Sequence, residues 1–365
     1  MFAINLKDWN TRGLIFVGVI MLALLFAGPQ IFDLYVLLKV ILFISTAMLA
    51  LSMGFIWGFG GILCFGQSAF FGIGGYAYAI GVINMGESTI PLLLSIVVPS
   101  AFAMLLGYFM FYGRLSDIYL AVVTLAVTLI FYAFIRSTSG EEYHIGNARL
   151  MGFNGISSIP GFNWPGFPNS PLWPDDIFYV AMTFLILVYF GLRYLLRTHF
   201  GRVVVAIREN ETRAEYLGYD VRLYKTIAFT VGAGVAGLAG CLFVSFNNFI
   251  NPDVFALGLA AQIIMWVLIG GVGTLVGPML GSIGLQMLYN WLGTQRTFDF
   301  LNTYLVFGAI ILVFVLAVPS GLQPTARALA LRYLPWVRPK EEAEQAARAR
   351  VGGKSDGAPE SSGND

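Results

Sequence analysis

The chain has 365 residues, 58% hydrophobic and 11% charged, with 42 glycines, 31 phenylalanines and a mean hydropathy of +0.76. A soluble domain carries about 25% charged residues, so the composition excludes one, and a net charge of +1 provides no field to recruit nucleic acid or an acidic substrate. Uncharged apolar runs of about 20 residues, the length that crosses a bilayer, recur along most of the chain and predict an all-α, polytopic membrane protein bathed in lipid.

Hydrophobic runs bounded by charge, Gly or Pro fall at 13–32, 34–53, 67–85, 90–112, 117–136, 176–196, 224–248, 257–272, 275–293 and 299–318. They predict a helical bundle of about ten transmembrane helices, some short or broken by glycine. The first run has the length of a signal-peptide core over 14–27, yet nine others hold the chain in the membrane whether or not it is cleaved. Lys and Arg favour the cytoplasmic side. Ten spans with the N-terminus inside place 17 of the 21 there, so both termini are expected to be cytoplasmic. Residues 137–175, rich in Gly, Pro, Asn and Trp, then form an external loop, and 197–223 form the largest internal one. Residues 340–365 have almost no large apolar side chains and read as a disordered cytoplasmic tail behind a membrane domain of 1–339.

The spans carry little chemistry. Cys64 and Cys241 sit in apolar segments, and His144 and His199 lie in separate loops, so neither a disulfide framework nor a metal site is expected. Lys39, Arg136 and Asp299 lie near span ends, where their side chains reach the interface. The residues left at depth are neutral: Ser45, Thr46, Gln67, Ser68, Thr124, Thr128, Asn247, Asn248, Gln262, Gln286 and Asn290. Such a path could pass a small polar solute, but it has no ionisable group to hold a coupling ion at depth. Gly353-Lys354-Ser355 resembles the end of a phosphate-binding loop but lacks the first glycine, which would fall at Arg348. Gly72-Ile73-Gly74-Gly75-Tyr76-Ala77 fits a dinucleotide pattern but lies inside a span, where small residues serve helix packing. Any nucleotide hydrolysis therefore belongs to another subunit, and no catalytic residue is assigned.

Glycine concentrates in three places. At 231–240, Gly232, Ala236 and Gly240 recur at four-residue spacing along one helix face, the pattern of a tight crossing. The stretches 54–77 and 270–284, the second with Gly273, Gly277, Gly281 and Pro278, occupy comparable places in two halves of the chain. Such pairs either pack closely or form discontinuous helices around a substrate path. Gln67, Ser68, Thr124, Thr128, Gly273 and Gly277 are the candidate path residues. In the 197–223 loop, Asn210 can cap a short helix over 211–217, stopped by Gly218. Ala214, Leu217 and Val221 could anchor it, while Arg208, Glu209, Arg213 and Glu215 present charge. The loop is either a solvated topology signal or a docking element.

The run GRVVVAIRENETRAEYLGYDVRLYKTIAFTVGAGVAGLAG, followed by NPDVF, VLIGGVGTLVGPMLG and a late VPSGL, resembles the membrane permeases of branched-chain amino acid ABC importers, specifically the LivM-type subunit. GFGGILCFGQSAFFGIGGYA and DIYLAVVTL match the same family, so the likeness covers roughly 40–322. It implies a bacterial inner-membrane permease with no cofactor of its own. Its partners would be a paralogous permease, two ATPase subunits that carry ATP and Mg, and a periplasmic or external solute-binding protein. It also implies that Arg208, Glu209, Asn210, Glu211, Arg213, Ala214, Leu217 and Gly218 form the segment that couples to the ATPase. Branched-chain amino acids are the default solute, with urea, short amides or other amino acids behind. A stand-alone channel, an ion-driven carrier and a membrane-embedded enzyme are the competing readings, and the last needs a His, Asp or Glu cluster that the sequence lacks.

Overall fold

The computed structural model describes residues 9–164 and 167–294, together with Gly308, Leu312, Gly321, Leu322 and Thr325. The tail at 340–365 and most of the expected span at 299–318 lie outside the described residues. The other nine expected spans each coincide with a helix: α1 (Trp9–Ile31), α2 (Leu34–Gly60), α3 (Gln67–Met85), α4 (Thr89–Tyr112), α5 (Asp117–Ser137), α6 (Pro174–Arg197), α9 (Val221–Asn247), α10 (Leu257–Gly270) and α11 (Val276–Thr294). Six of these, α2 to α6 and α9, are long and apolar enough to cross a membrane. A backbone without water must satisfy its own hydrogen bonds, which a helix does within one segment.

The bundle is built around α9, which packs against α2, α3 and α4. Glycine makes these approaches possible. A Cβ added at Gly240 would lie 2.0 Å from the Phe71 carbonyl, one at Gly237 2.2 Å from the Ser95 carbonyl, and one at Gly232 2.2 Å from Ile56. The expected tight crossing is therefore present and reaches three neighbouring helices. The helix α2 is equally enclosed: every residue from Phe43 to Ile56 is buried. It also runs past its expected end at residue 53, because Gly54 and Gly58 serve as contact points for Pro278 and Gly273 within a continuing helix.

At one end of the bundle, the segment expected as a loop over 137–175 is folded down onto the helices. It contains β1 (His144–Ile145) paired with β2 (Ala148–Arg149), and β4 (Asn163–Trp164) paired with β5 (Phe167–Pro171). β3 (Ile156–Ser157) pairs with β6 (Phe249–Ile250), just beyond α9. Buried Ile156, Ile159 and Phe162 anchor the segment, and the Tyr78 hydroxyl donates to the Pro160 carbonyl at 3.3 Å. Sequence polarity concealed this cap because its anchors are few and widely spaced. Beyond β6, a 3₁₀ turn at Pro252–Phe255 drives Phe255 onto Gly72, where its ring stacks on Tyr76 and Phe131.

Candidate functional site

Both glycine-rich stretches do interrupt helices. The first break spans 61–66 between α2 and α3 and opens with Gly61 in the left-handed region at φ +70°. The second lies between α10 and α11, where Gly271 and Gly273 have φ of +110° and +85°. An L side chain is strained at such angles, so glycine is required there. The second break lies against the last turn of α2, just before the first break: a Cβ on Gly58 would come 2.7 Å from the Gly273 backbone nitrogen. Gly321, from the late VPSGL run, presses on the second break, its Cβ position 2.5 Å from the Gly271 Cα.

The first break collects four of the candidate path residues. Gln67 and Ser68 open α3 and are fully buried. Gln67 Nε2 donates to Ser52 Oγ at 2.8 Å and to the Gly232 carbonyl at 3.3 Å. Thr124 Oγ1 accepts the Phe65 amide at 3.2 Å, which gives the unwound backbone a partner, and Thr128 donates to the Thr124 carbonyl one turn further along α5. Gln67 Oε1 and Ser68 Oγ are buried without a partner among the described residues. An unmet buried polar atom costs about 1–3 kcal/mol, so these two atoms are ready acceptors for water or a polar solute. Gly273 belongs to the second break. Gly277 lies in the first turn of α11, against the end of α10, where its Cβ position is 2.4 Å from the Gly270 carbonyl.

At the same end as both breaks, the segment expected as a loop over 197–223 forms two helices, α7 (His199–Glu209) and α8 (Glu211–Tyr216). Thr198 turns the chain out of α6, its hydroxyl donating to the Leu195 carbonyl at 2.6 Å. The predicted cap is present: Asn210 Oδ1 accepts the Arg213 amide at 2.8 Å, and Gly218, at φ +87°, stops α8. α7 is apolar on two sides. Val204 packs into the bundle core, while Val203 and Ile207 join Ala214 and Val221 to hold α8 in place. Leu217 is not part of that anchor, contrary to expectation. It is 71% exposed and, with Tyr216 at 87%, forms an apolar tip on α8 flanked by exposed Arg213 and Glu215. The reason is geometric: Leu217 follows Ala214 by three residues but sits at the helix end, where Gly218 redirects the chain.

Two charged groups behave differently from free surface charge. Glu211 pairs with Lys225 of α9 at 2.5 Å, the lysine side chain being only 13% exposed. Arg208 turns inward and donates to the Gly58 carbonyl, while its other nitrogen holds Glu209. Neither partner was legible in the sequence, since 14 and 150 residues separate the pairs. Between α8 and the α4–α5 turn lies a polar cleft of about 380 Å³, lined by Arg114, Ser116, Asp117, Glu211, Thr212, Glu215, Arg222 and Lys225. No cluster of His, Cys, Asp or Glu fit to hold a metal occurs among the described residues.

A bundle of long apolar helices, with two helix breaks near one end and a small capped helix beside them, has the build of a membrane transport subunit. The chain belongs to the family described as branched-chain amino acid transport system permease components, whose family model matches residues 35–316. It is similar to the high-affinity branched-chain amino acid transport system permease protein LivM of Salmonella typhimurium, 29% identical over 297 residues, which cover 77% of this chain and 68% of that protein. The probable branched-chain amino acid transport permease protein LivM of Methanocaldococcus jannaschii is 26% identical across 73% of this chain and 81% of its own. A shorter match, 30% identical over 42% of this chain and 46% of the relative, is to the autoinducer 2 import system permease protein LsrC of an Enterobacter species. No solved structure matches.

Proposed function

We propose that this chain is a permease subunit of an ABC importer that moves branched-chain or related amino acids across a bacterial inner membrane. It works beside a paralogous permease, two ATPase subunits that bind ATP and Mg, and an external solute-binding protein. Ten spans with both termini in the cytoplasm place α7 and α8 inside the cell, where Arg213, Glu215, Tyr216 and Leu217 form the face that enters a groove of the ATPase. The exposed Tyr216–Leu217 tip on a capped two-turn helix carries this reading, since exposed large apolar groups flanked by charge suit a protein contact.

The membrane part fits a passive path. Its buried polar groups near the breaks are neutral amides and hydroxyls, so they can exchange hydrogen bonds with a zwitterionic solute without binding a driving ion. Force then arrives through α8. The test is purification of the native complex, identification of its chains, and uptake into proteoliposomes with ATP supplied on the ATPase side. ATP-dependent uptake that needs the loaded binding protein supports the reading; concentrative uptake by this polypeptide alone refutes it.

A further inference from the structure

The C-terminus of α2 lacks a cation of its own. This 27-residue helix has no basic residue in its last turn, although a helix C-terminus leaves carbonyls unpaired and gathers partial negative charge. The glycine cap satisfies two of them, the Gly61 amide donating to the Trp57 carbonyl at 3.1 Å and the Ile62 amide to the Ile56 carbonyl at 3.2 Å. The Gly58 carbonyl is met instead by Arg208 from α7. The same side chain spans both breaks: its Cγ lies 2.9 Å from the Cβ position of Gly61, and its Nη1 lies 3.7 Å from that of Gly273. Beside it, Val204 and Ile207 close on Gly60 and Ile62 across a seam with no room for water.

We propose that Arg208 is a positioning residue for energy coupling, a latch that caps α2 from α7 and holds the two breaks together until the lever moves. The proposal rests on the importer reading for its source of force, but the latch itself is a property of this chain. Arg208 turns one guanidinium nitrogen onto α2 and keeps the other on exposed Glu209, while Arg213, Tyr216 and Leu217 face outward, so docking and transmission are divided between different side chains of one lever. Displacement of α7 strips the Gly58 carbonyl of a charged donor and leaves the end of α2 held by its glycine cap alone. A hydrogen bond to a charged group biases such an equilibrium by about 10- to 100-fold.

A native reporter sits in the first break: Cys64 is a buried free thiol, and Cys241, buried within α9, serves as the internal control. The experiment compares the unaltered chain with Arg208→Gln, Arg208→Lys and Glu209→Gln in proteoliposomes, with the ATPase subunits co-expressed. It reads the rate of Cys64 modification by N-ethylmaleimide without nucleotide, ATPase retention, and solute taken up per ATP hydrolysed. Arg208→Gln is expected to raise Cys64 labelling about 10- to 100-fold, leave Cys241 unlabelled, retain the ATPase and lower uptake per ATP. Arg208→Lys, which keeps one charged donor, falls between. Glu209→Gln leaves the Nη1 bond to the Gly58 carbonyl in place and should keep Cys64 labelling near that of the unaltered chain, while Arg208→Lys keeps the latch testable if Arg208→Gln does not assemble. Unchanged labelling in Arg208→Gln, or in Arg208→Lys where Arg208→Gln does not assemble, overturns the latch; so does labelling in Glu209→Gln as fast as in Arg208→Gln, and so does ATPase loss at unchanged labelling, which makes Arg208 a docking contact. Failure of the unaltered chain to retain any ATPase overturns the importer reading alone, because the labelling arm needs only this chain.

Discussion

Replacing Gly74 by alanine is a direct test of the packing that positions the breaks. The new Cβ would lie 2.3 Å from the Gly237 Cα and 2.4 Å from its carbonyl oxygen. Ordinary contact begins near 3.4 Å, so α3 and α9 must separate by about 3.4 − 2.3 = 1.1 Å at their crossing. All three nearest atoms are backbone, so no side chain can swing aside. Nor can α9 retreat freely, since Gly237 is itself wedged against the Ser95 carbonyl and Pro99 of α4. Overpacking of this kind costs about 1–3 kcal/mol. Gly191 in α6 is the matched control: nothing lies within 4 Å of its Cβ position, and alanine there gains about 0.5–1 kcal/mol of helix stability. Alanine gains the same helix stability at Gly74, inside α3, so the two variants should differ by the overpacking cost alone, about 1–3 kcal/mol, read as equilibrium unfolding in mixed micelles with increasing denaturing detergent. Equal midpoints for both would refute the claim that the α3–α9 crossing tolerates only glycine.

Four further outcomes follow from the same geometry. Asn210→Ala removes the cap of α8 and should cost about 0.5–2 kcal/mol of local stability, seen as faster proteolysis between α7 and α9 and weaker ATPase retention; an unchanged cleavage rate would contradict the cap's role. Leu217→Ser combined with Tyr216→Ser should release the ATPase while leaving the unfolding midpoint of the permease within about 0.5 kcal/mol, as expected for exposed sites. Glu211→Gln breaks the pair with Lys225, but because the glutamate is half exposed the loss should stay within about 1 kcal/mol; a larger drop in stability would show the pair to be buried in the assembled complex. Gln67→Leu removes both donated bonds and the unpartnered Oε1 together, so stability should hold within about 1 kcal/mol while the uptake rate falls. Normal uptake by a stable Gln67→Leu chain would exclude Gln67 from the path.

The described helices were legible because their cause is local. A segment in lipid must bond its own backbone and present apolar side chains, and both demands are written in consecutive residues; nine expected spans accordingly fall on nine helices. Asn210 and Gly218 were legible for the same reason, since capping involves groups within one turn. Function at the level of a transport subunit followed from long runs of sequence shared with a family. Tertiary structure decided what depends on distant partners. Whether a glycine breaks a helix or merely admits a neighbour could not be read at Gly54 or Gly58, which remain helical against Pro278 and Gly273, while Gly61 and Gly271 end their helices. Leu217 and Ala214 look equally able to anchor a short helix, and only the path of the chain after Gly218 sends one outward and the other in. Arg208 is the sharpest case: its sequence neighbours mark it as surface charge, yet the acceptor that fixes its direction is a backbone carbonyl in α2, and no local pattern encodes a carbonyl that any residue could have supplied.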